Sequence, residues 1–219
     1  MPDLTFTVLG AEPVPYAAAP VLAFKLGIAN APATELIRAI TLQGQIRIEP
    51  LRRRYAVADQ EGLRDLFGEP ERWSQTMHTL LWTHTSAGVP AFTGSTEIDL
   101  PVPCTYDFNV AVAKYFYALE GGDVSLLLLF SGTIFYETAE GALQIAQIPW
   151  EKEAGFRLPV ATWKKLMDMY YPNSAWLNLQ QDVFDRLYRY KMRRGLPTWE
   201  QALESLLDQV ETDPDEVGS

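Results

Sequence analysis

Three alternating segments near the start of the chain constrain its fold more than any other sequence feature. Hydrophobic residues recur at almost every second position over residues 4–9, 21–29 and 40–48. A period of two is typical of β-strands that bury one face. Prolines and other turn residues separate the three segments. The sequence therefore predicts antiparallel strands arranged as a β-sandwich or an open barrel.

Further strands are predicted in the middle of the chain, over residues 96–102 and 143–148. Residues 108–119 and 124–136 are long and apolar on both faces, and Gly121-Gly122-Asp123 between them is typical of a hairpin turn. We therefore expect a central hairpin with a covering layer on each side. A helical excursion is predicted near residues 58–73. Residues 71–85 fit a helix as well as a strand, and both alternatives stay open.

Helical periodicity follows Pro159 and predicts about three helices. The second is expected to end at Gly195, and the third to begin with Thr198 as its N-cap. The expected fold class is thus α+β. We predict a sandwich over residues 1–158, a helical segment packed on the sheet over 159–210, and an acidic tail over 211–219.

The net charge of −10 is concentrated at the C-terminal end. Of 28 acidic residues, seven lie at or after Glu200, where no basic residue occurs, which leaves 21 acidic against 18 basic residues before it. This near balance makes nucleic-acid binding an unfavourable interpretation. No apolar stretch reaches the ~20 residues that a membrane helix needs. We expect no membrane association and a cytoplasmic location.

No set of residues has the spacing of a catalytic or metal site. The two histidines, His78 and His84, would lie ~20 Å apart on a strand and on different sides of a helix. Cys104 continues the buried parity of residues 98, 100 and 102, which indicates a structural role. We therefore predict no metal, no cofactor and no catalytic residue. The alternative is an enzyme or small-ligand binder with a pocket lined by Cys104, Tyr106, Asp107, His78 and His84.

Two basic clusters are the candidate binding residues. They could pair with phosphate, with an acidic partner surface or with the acidic C-terminal helix of the same chain. The structural interpretation is a solvated turn and a helix with bases at its C-terminal end. The clusters consist of Arg52, Arg53 and Arg54, and of Arg186, Arg189, Lys191, Arg193 and Arg194.

Six short blocks spread over nearly the whole chain carry a family resemblance. They lie at residues 45–55, 65–73, 100–108 and 130–136, at Ile148-Pro149-Trp150 and at Arg194-Gly195-Leu196-Pro197-Thr198-Trp199. These blocks resemble an uncharacterised bacterial family, a domain of unknown function. The resemblance implies that the gene lies near nickel–iron hydrogenase clusters, and so an accessory or assembly role. It implies no catalytic residue.

The leading hypothesis is a non-catalytic module that binds another protein or assists an assembly. Aromatic residues and local charged segments are typical of partner surfaces. A homo-oligomeric structural subunit built on the C-terminal helices is a further alternative.

Overall fold

Nine strands and six helices make up the part of the chain that the computed structural model describes. That part comprises residues 2–105, 109–138, 140–175 and 177–212, with side chains described up to residue 209. In chain order the elements are β1 (Asp3–Pro13), β2 (Val21–Ala31), β3 (Leu36–Ile48), α1 (Val57–Phe67), α2 (Trp73–Thr76), β4 (Leu80–Val89), β5 (Phe92–Thr93), β6 (Ser95–Pro103), α3 (Val110–Ala118), β7 (Asp123–Glu137), β8 (Leu143–Gln147), β9 (Glu153–Pro159), α4 (Val160–Tyr170), α5 (Gln181–Arg194) and α6 (Trp199–Thr212).

The chain divides into two compact units, Met1–Ser174 and Ala175–Ser219. The first unit contains all nine strands and the helices α1 to α4, and the second contains α5 and α6. Because α4 belongs to the first unit, the helical segment that we predicted over 159–210 is split. The packing of α5 and α6 on the sheet stays a prediction. Of the acidic tail predicted over 211–219, residues 211 and 212 belong to α6, and residues 213–219 lie outside the described residues.

The first unit is built from two antiparallel sheets. One has the order β1-β2-β6, and the other has the order β4-β3-β7-β8, with β5 paired to β3 and β9 paired to β7. Their inward side chains meet: the ring of Phe6 stacks on Phe130 at 4.3 Å between centroids. Phe24 contacts Phe156 edge to face at 5.8 Å. The predicted α+β fold with a sandwich-like arrangement of antiparallel strands is confirmed.

The first half of the predicted central hairpin is wrong. Residue 108 lies outside the described residues, and Val110–Ala118 forms the helix α3 rather than a strand. Its N-cap is Asn109, whose Oδ1 accepts a hydrogen bond from the N–H of Val112 at 3.1 Å. All of its residues except Lys114 are hydrophobic, so its period does not distinguish it from a buried strand. The predicted second half is confirmed as β7.

The ambiguous segment over residues 71–85 contains both structures. A 3₁₀ turn at Pro70–Arg72 leads into the four-residue helix α2, and β4 begins at Leu80. The short strand β9 was not predicted from the sequence. It pairs with β7, from Asp123 opposite Pro159 to Leu129 opposite Glu153.

Helix α4 completes the core of the first unit. Its side chains Val160, Trp163, Leu166 and Met167 are buried. The indole of Trp163 stacks on Phe116 of α3 at 5.1 Å. No helix in the described ranges is both long enough and apolar enough to span a membrane.

The second unit is a pair of helices with the predicted ends. Gly195 ends α5 in a left-handed conformation, with φ of 66°. The hydroxyl of Thr198 accepts a hydrogen bond from the N–H of Gln201 at 3.2 Å, which confirms the predicted cap. Trp199 contacts Phe184 at 5.2 Å and Tyr188 at 6.2 Å. The contacts between the two helices are therefore largely aromatic.

Candidate functional site

The basic cluster that follows β3 contains one buried arginine. The guanidinium of Arg53 donates to Oδ2 of Asp59 at 3.0 Å and to the main-chain carbonyls of Gly121 at 2.5 Å and Asp123 at 3.1 Å. The side chains of Arg53 and Asp59 are only 10% and 4% exposed. Arg53 thus joins the start of α1 to the turn before β7. Its hydrogen bonds lie inside the protein, so the Arg53 side chain is not part of an accessible partner surface.

Asp59 is ionised in this buried pair because hydrogen bonds compensate for its burial. Burial alone would raise the pKa of Asp59. The main-chain N–H of Glu120, which donates at 2.9 Å, and the Arg53 guanidinium together hold that pKa below its usual value. Asp59 is near the N-terminus of α1, where a negative charge is favourable. The pair is therefore a structural connection.

The other two arginines of this cluster are on the surface. Arg52 and Arg54 are exposed, and Nε of Arg52 lies 3.2 Å from Oε1 of Glu49. An exposed pair of this kind contributes little to stability. Arg52 and Arg54 are therefore two accessible side chains on either side of the buried Arg53.

The second basic cluster lies along α5. Arg186, Arg189, Arg193 and Arg194 are exposed. The guanidinium of Arg194 lies over the ring of Tyr190 at 5.7 Å, and the ammonium of Lys191 lies over Trp199 at 5.6 Å. These two contacts place Arg194 and Lys191 on the side of α5 that carries the aromatic contacts. The remaining three arginines are three and four residues apart, so they form one stripe on the helix.

This stripe borders a groove of about 660 Å³ on the second unit. The groove combines guanidinium groups with exposed apolar side chains, among them Met192, which is 59% exposed. We call it the α5 groove. Its lining residues are Val183, Arg186, Leu187, Tyr188, Arg189, Tyr190, Met192, Arg193 and Leu206.

The alternative pocket around Cys104 is not assembled by the described residues. The thiol of Cys104 is buried and donates to the carbonyl of Val102 at 3.3 Å, and burial raises its pKa to about 12. The cavity beside it measures about 10 Å³, which is close to the smallest volume that holds one water molecule. Trp82 and Trp163 contribute to its walls, and neither histidine does. Tyr106 and Asp107 lie outside the described residues.

The two histidines lie apart from this cavity. His78 is exposed in the connection before β4, and His84 is exposed on β4, where its ring contacts the side chain of Gln45 at 3.2 Å. Within the described ranges, no group of three or more His, Cys, Asp or Glu side chains could hold a metal ion.

A second groove, of about 520 Å³, lies on the outer face of the six-stranded sheet. Gln43, Gln45, His84, Ser86 and Ser131 contribute polar groups to it, and Trp150 borders it. We call it the sheet groove. Of these residues, only His84 was among the candidates predicted from the sequence.

The model of the "Family of unknown function (DUF6084)" matches residues 1–215. The chain belongs to this family. This membership agrees with the resemblance to a domain of unknown function, and it assigns no activity to either groove.

Among solved structures, the DUF6084 chain is similar to a late embryogenesis abundant (LEA) protein solved in solution. The identity is 13%, the TM-score is 0.32, and the match covers 73% of this chain and 72% of the other. The comparison with curated proteins finds no match.

The sequence of the DUF6084 chain contained a signal for the sheet groove. Gln43 and Gln45 alternate with Leu42 and Ile46, which marks the two glutamines as outward-facing neighbours. Nothing in the sequence indicated that Trp150 borders the groove. The location of Trp150 depends on the path of the connection between β8 and β9, which is a feature of the tertiary fold.

We expect Cys104 of this DUF6084 chain to be unreactive in the folded protein. At pH 8 a thiol with a pKa of about 12 is almost entirely protonated, and only the thiolate reacts. Alkylation by iodoacetamide should therefore be about a thousandfold slower in buffer than in 8 M urea, as followed by intact mass. Equal rates in both conditions would contradict the burial of Cys104.

Proposed function

We propose that this protein is a non-catalytic protein-binding module and that the α5 groove is its docking surface. The observation that carries the proposal is the combination, in one groove, of exposed apolar side chains with a stripe of three arginines. Arg, Tyr and Met are enriched in the centres of protein interfaces. A groove with this composition supports protein recognition better than catalysis.

The packing of the second unit supports this assignment. Of the side chains described in α5 and α6, only Ala202 is fully buried. Val183, Tyr188 and Met192 on α5 are each more than 40% exposed. Short helices gain most of their stability from burying an apolar face. A partner that covers these side chains would therefore bury surface that the unit itself leaves in water.

The charge of the groove selects the partner. Arg186, Arg189 and Arg193 contribute three positive charges at its border, and among the side chains described up to residue 209 no acidic one lines it. Electrostatic complementarity favours a partner that brings carboxylates to this border. We infer an amphipathic helical segment of another protein, with Asp or Glu beside an apolar stripe.

The hydrogenase association that the family resemblance implies belongs to this proposal as well. It makes nickel–iron hydrogenase subunits the first purified proteins to test as partners. The proposed accessory role would then be the recruitment or positioning of such a partner, without chemistry by this chain.

The test compares two variants with the same change in charge. R186E/R189E/R193E reverses the arginines of the α5 groove, and R52E/R54E/R72E reverses three exposed arginines of the first unit. A displayed library of 16-residue peptides is selected on the wild-type protein, and the enriched peptides are measured by fluorescence anisotropy. We expect acidic amphipathic peptides, bound roughly a hundredfold more weakly by the first variant and unchanged by the second.

Three outcomes would contradict this proposal. The enriched peptides could lack an excess of acidic residues, or the first-unit variant could lose binding as strongly as the groove variant. Light scattering could also show that the wild-type protein is a dimer and that R186E/R189E/R193E is a monomer. That result would identify a second copy of the chain as the occupant of the groove. Circular dichroism of both variants checks that their helices are intact.

A further inference from the structure

The sheet groove is built by two neighbouring rows of residues on the outer face of the larger sheet. Gln45 of β3 lies opposite His84 of β4 and Leu129 of β7. Gln43 lies opposite Ser86 and Ser131 on the same two strands. Directly opposed residues share a face of an antiparallel sheet. Three hydrogen-bonded strands therefore hold these side chains at fixed spacing, without any dependence on the second unit.

A chain of hydrogen bonds orients the polar groups of the first row. A guanidinium only donates, so Oε1 of Gln45 must accept from Nη2 of Arg47, at 2.8 Å. The amide nitrogen of Gln45 then faces Nε2 of His84 at 3.2 Å and donates to it. With Nε2 as an acceptor, the neutral imidazole carries its proton on Nδ1. His84 therefore has one donor that this chain of hydrogen bonds does not use.

The lining of the sheet groove is polar but uncharged. The residues that line its outer-facing rows in the described part of the chain include two carboxamides, one imidazole and the hydroxyl groups of Ser86 and Ser131, and the whole lining has no Asp, Glu, Lys or Arg. Carboxamides and hydroxyls both donate and accept hydrogen bonds. The guanidinium of Arg47 bonds to Gln45 but is not among the lining residues, so a ligand with carboxylates or phosphates would meet no charged side chain in the lining itself. The groove thus matches a neutral ligand with several hydroxyl groups.

An exposed tryptophan supplies the apolar part of the site. Trp150 lies between β8 and β9, borders the groove and is 88% exposed. An indole is a large flat apolar surface, and such surface favours contact with a partner over water. The C–H face of a pyranose ring has the matching shape, and its hydroxyl edges match the carboxamides beside it.

We infer that the sheet groove binds a neutral saccharide, with one sugar ring stacked on Trp150 and hydroxyl groups bonded to Gln43, His84 and the neighbouring serines. The groove volume of about 520 Å³ falls within the range of small-ligand sites. This inference stands on the first unit alone and is independent of the docking function proposed for the α5 groove.

The experiment begins with a printed array of neutral α- and β-linked hexose oligomers, from disaccharides to hexasaccharides, together with sialylated and phosphorylated oligomers. Array members that bind are titrated into the full-length protein by isothermal calorimetry. We expect a Kd for wild type that rises at least tenfold in W150A and in Q43A. The matched control is Y117A, which removes another exposed aromatic side chain, 68% exposed on α3, and should leave the Kd unchanged.

Three results would each overturn the inference. The first is that no array member binds at millimolar ligand concentration, and the second is that W150A has the same Kd as wild type. The third is that sialylated or phosphorylated sugars bind more tightly than neutral ones. Because Trp150 is on the surface, loss of binding in W150A is separable from unfolding by comparing the thermal transitions of W150A and Y117A. The peptide-binding assay on the α5 groove should be unaffected by W150A, so the two proposals fail or succeed separately.

Discussion

Replacing Arg53 by methionine is expected to lower the free energy of unfolding by about 3–5 kcal/mol. The substitution keeps much of the side-chain volume but leaves the buried Asp59 carboxylate without its counter-charge. It also removes the hydrogen bonds to the carbonyls of Gly121 and Asp123. The measurement is equilibrium unfolding in urea at pH 7, followed by circular dichroism.

The matched control is the same substitution at Arg54, which is exposed and lies next to Arg53. R54M should change the free energy of unfolding by no more than about 0.5 kcal/mol. A double-mutant cycle with D59N separates the pair from the rest of the network. R53M/D59N should lose less than the sum of the two single variants, because each single change already breaks the ion pair. A loss below about 1 kcal/mol in R53M would contradict the buried connection.

The role of Arg53 shows why the sequence predicted the residue types of a site but not their roles. Three consecutive arginines predict a charged turn. The groups that bury the middle one, at Gly121 and Asp123, are about seventy positions later in the chain. Only the tertiary fold brings them together. Cys104 is the opposite case, since its burial was predicted from the parity of its own strand.

The fold was predictable where one face of an element meets solvent. The strands β1, β2, β3 and β6 alternate because each has an exposed and a buried face, and all four were predicted. The helix α3 leaves only Lys114 and Tyr117 exposed, and Lys114 is its single charged residue, so its sequence shows no clear helical period. The cap at Asn109 was the local signal for a helix, and the glycines that follow α3 were assigned to a hairpin instead.

Replacing Gly132 by alanine is expected to cost more than about 4 kcal/mol of the free energy of unfolding, or to prevent folding. Gly132 lies in β7 opposite Leu42, with φ of 139°, a conformation that residues with a Cβ rarely adopt. A Cβ built on it would lie 2.0 Å from the carbonyl oxygen of Thr41. The clash is with main chain, so relief requires β3 and β7 to separate at the centre of the larger sheet.

The comparison variant is G155A, on β9 beside the same strand. A Cβ at Gly155 meets no atom within 4 Å, so this variant should change the free energy of unfolding by no more than about 1 kcal/mol. Urea unfolding of both variants, with the soluble yield recorded for each, tests the difference. A soluble G132A protein with the unfolding midpoint of G155A would show that the two strands do not approach as closely at Gly132 as the structure has them.

Because Gly132 follows Ser131 of the sheet groove, a folded G132A protein should also bind neutral saccharides more weakly than G155A does.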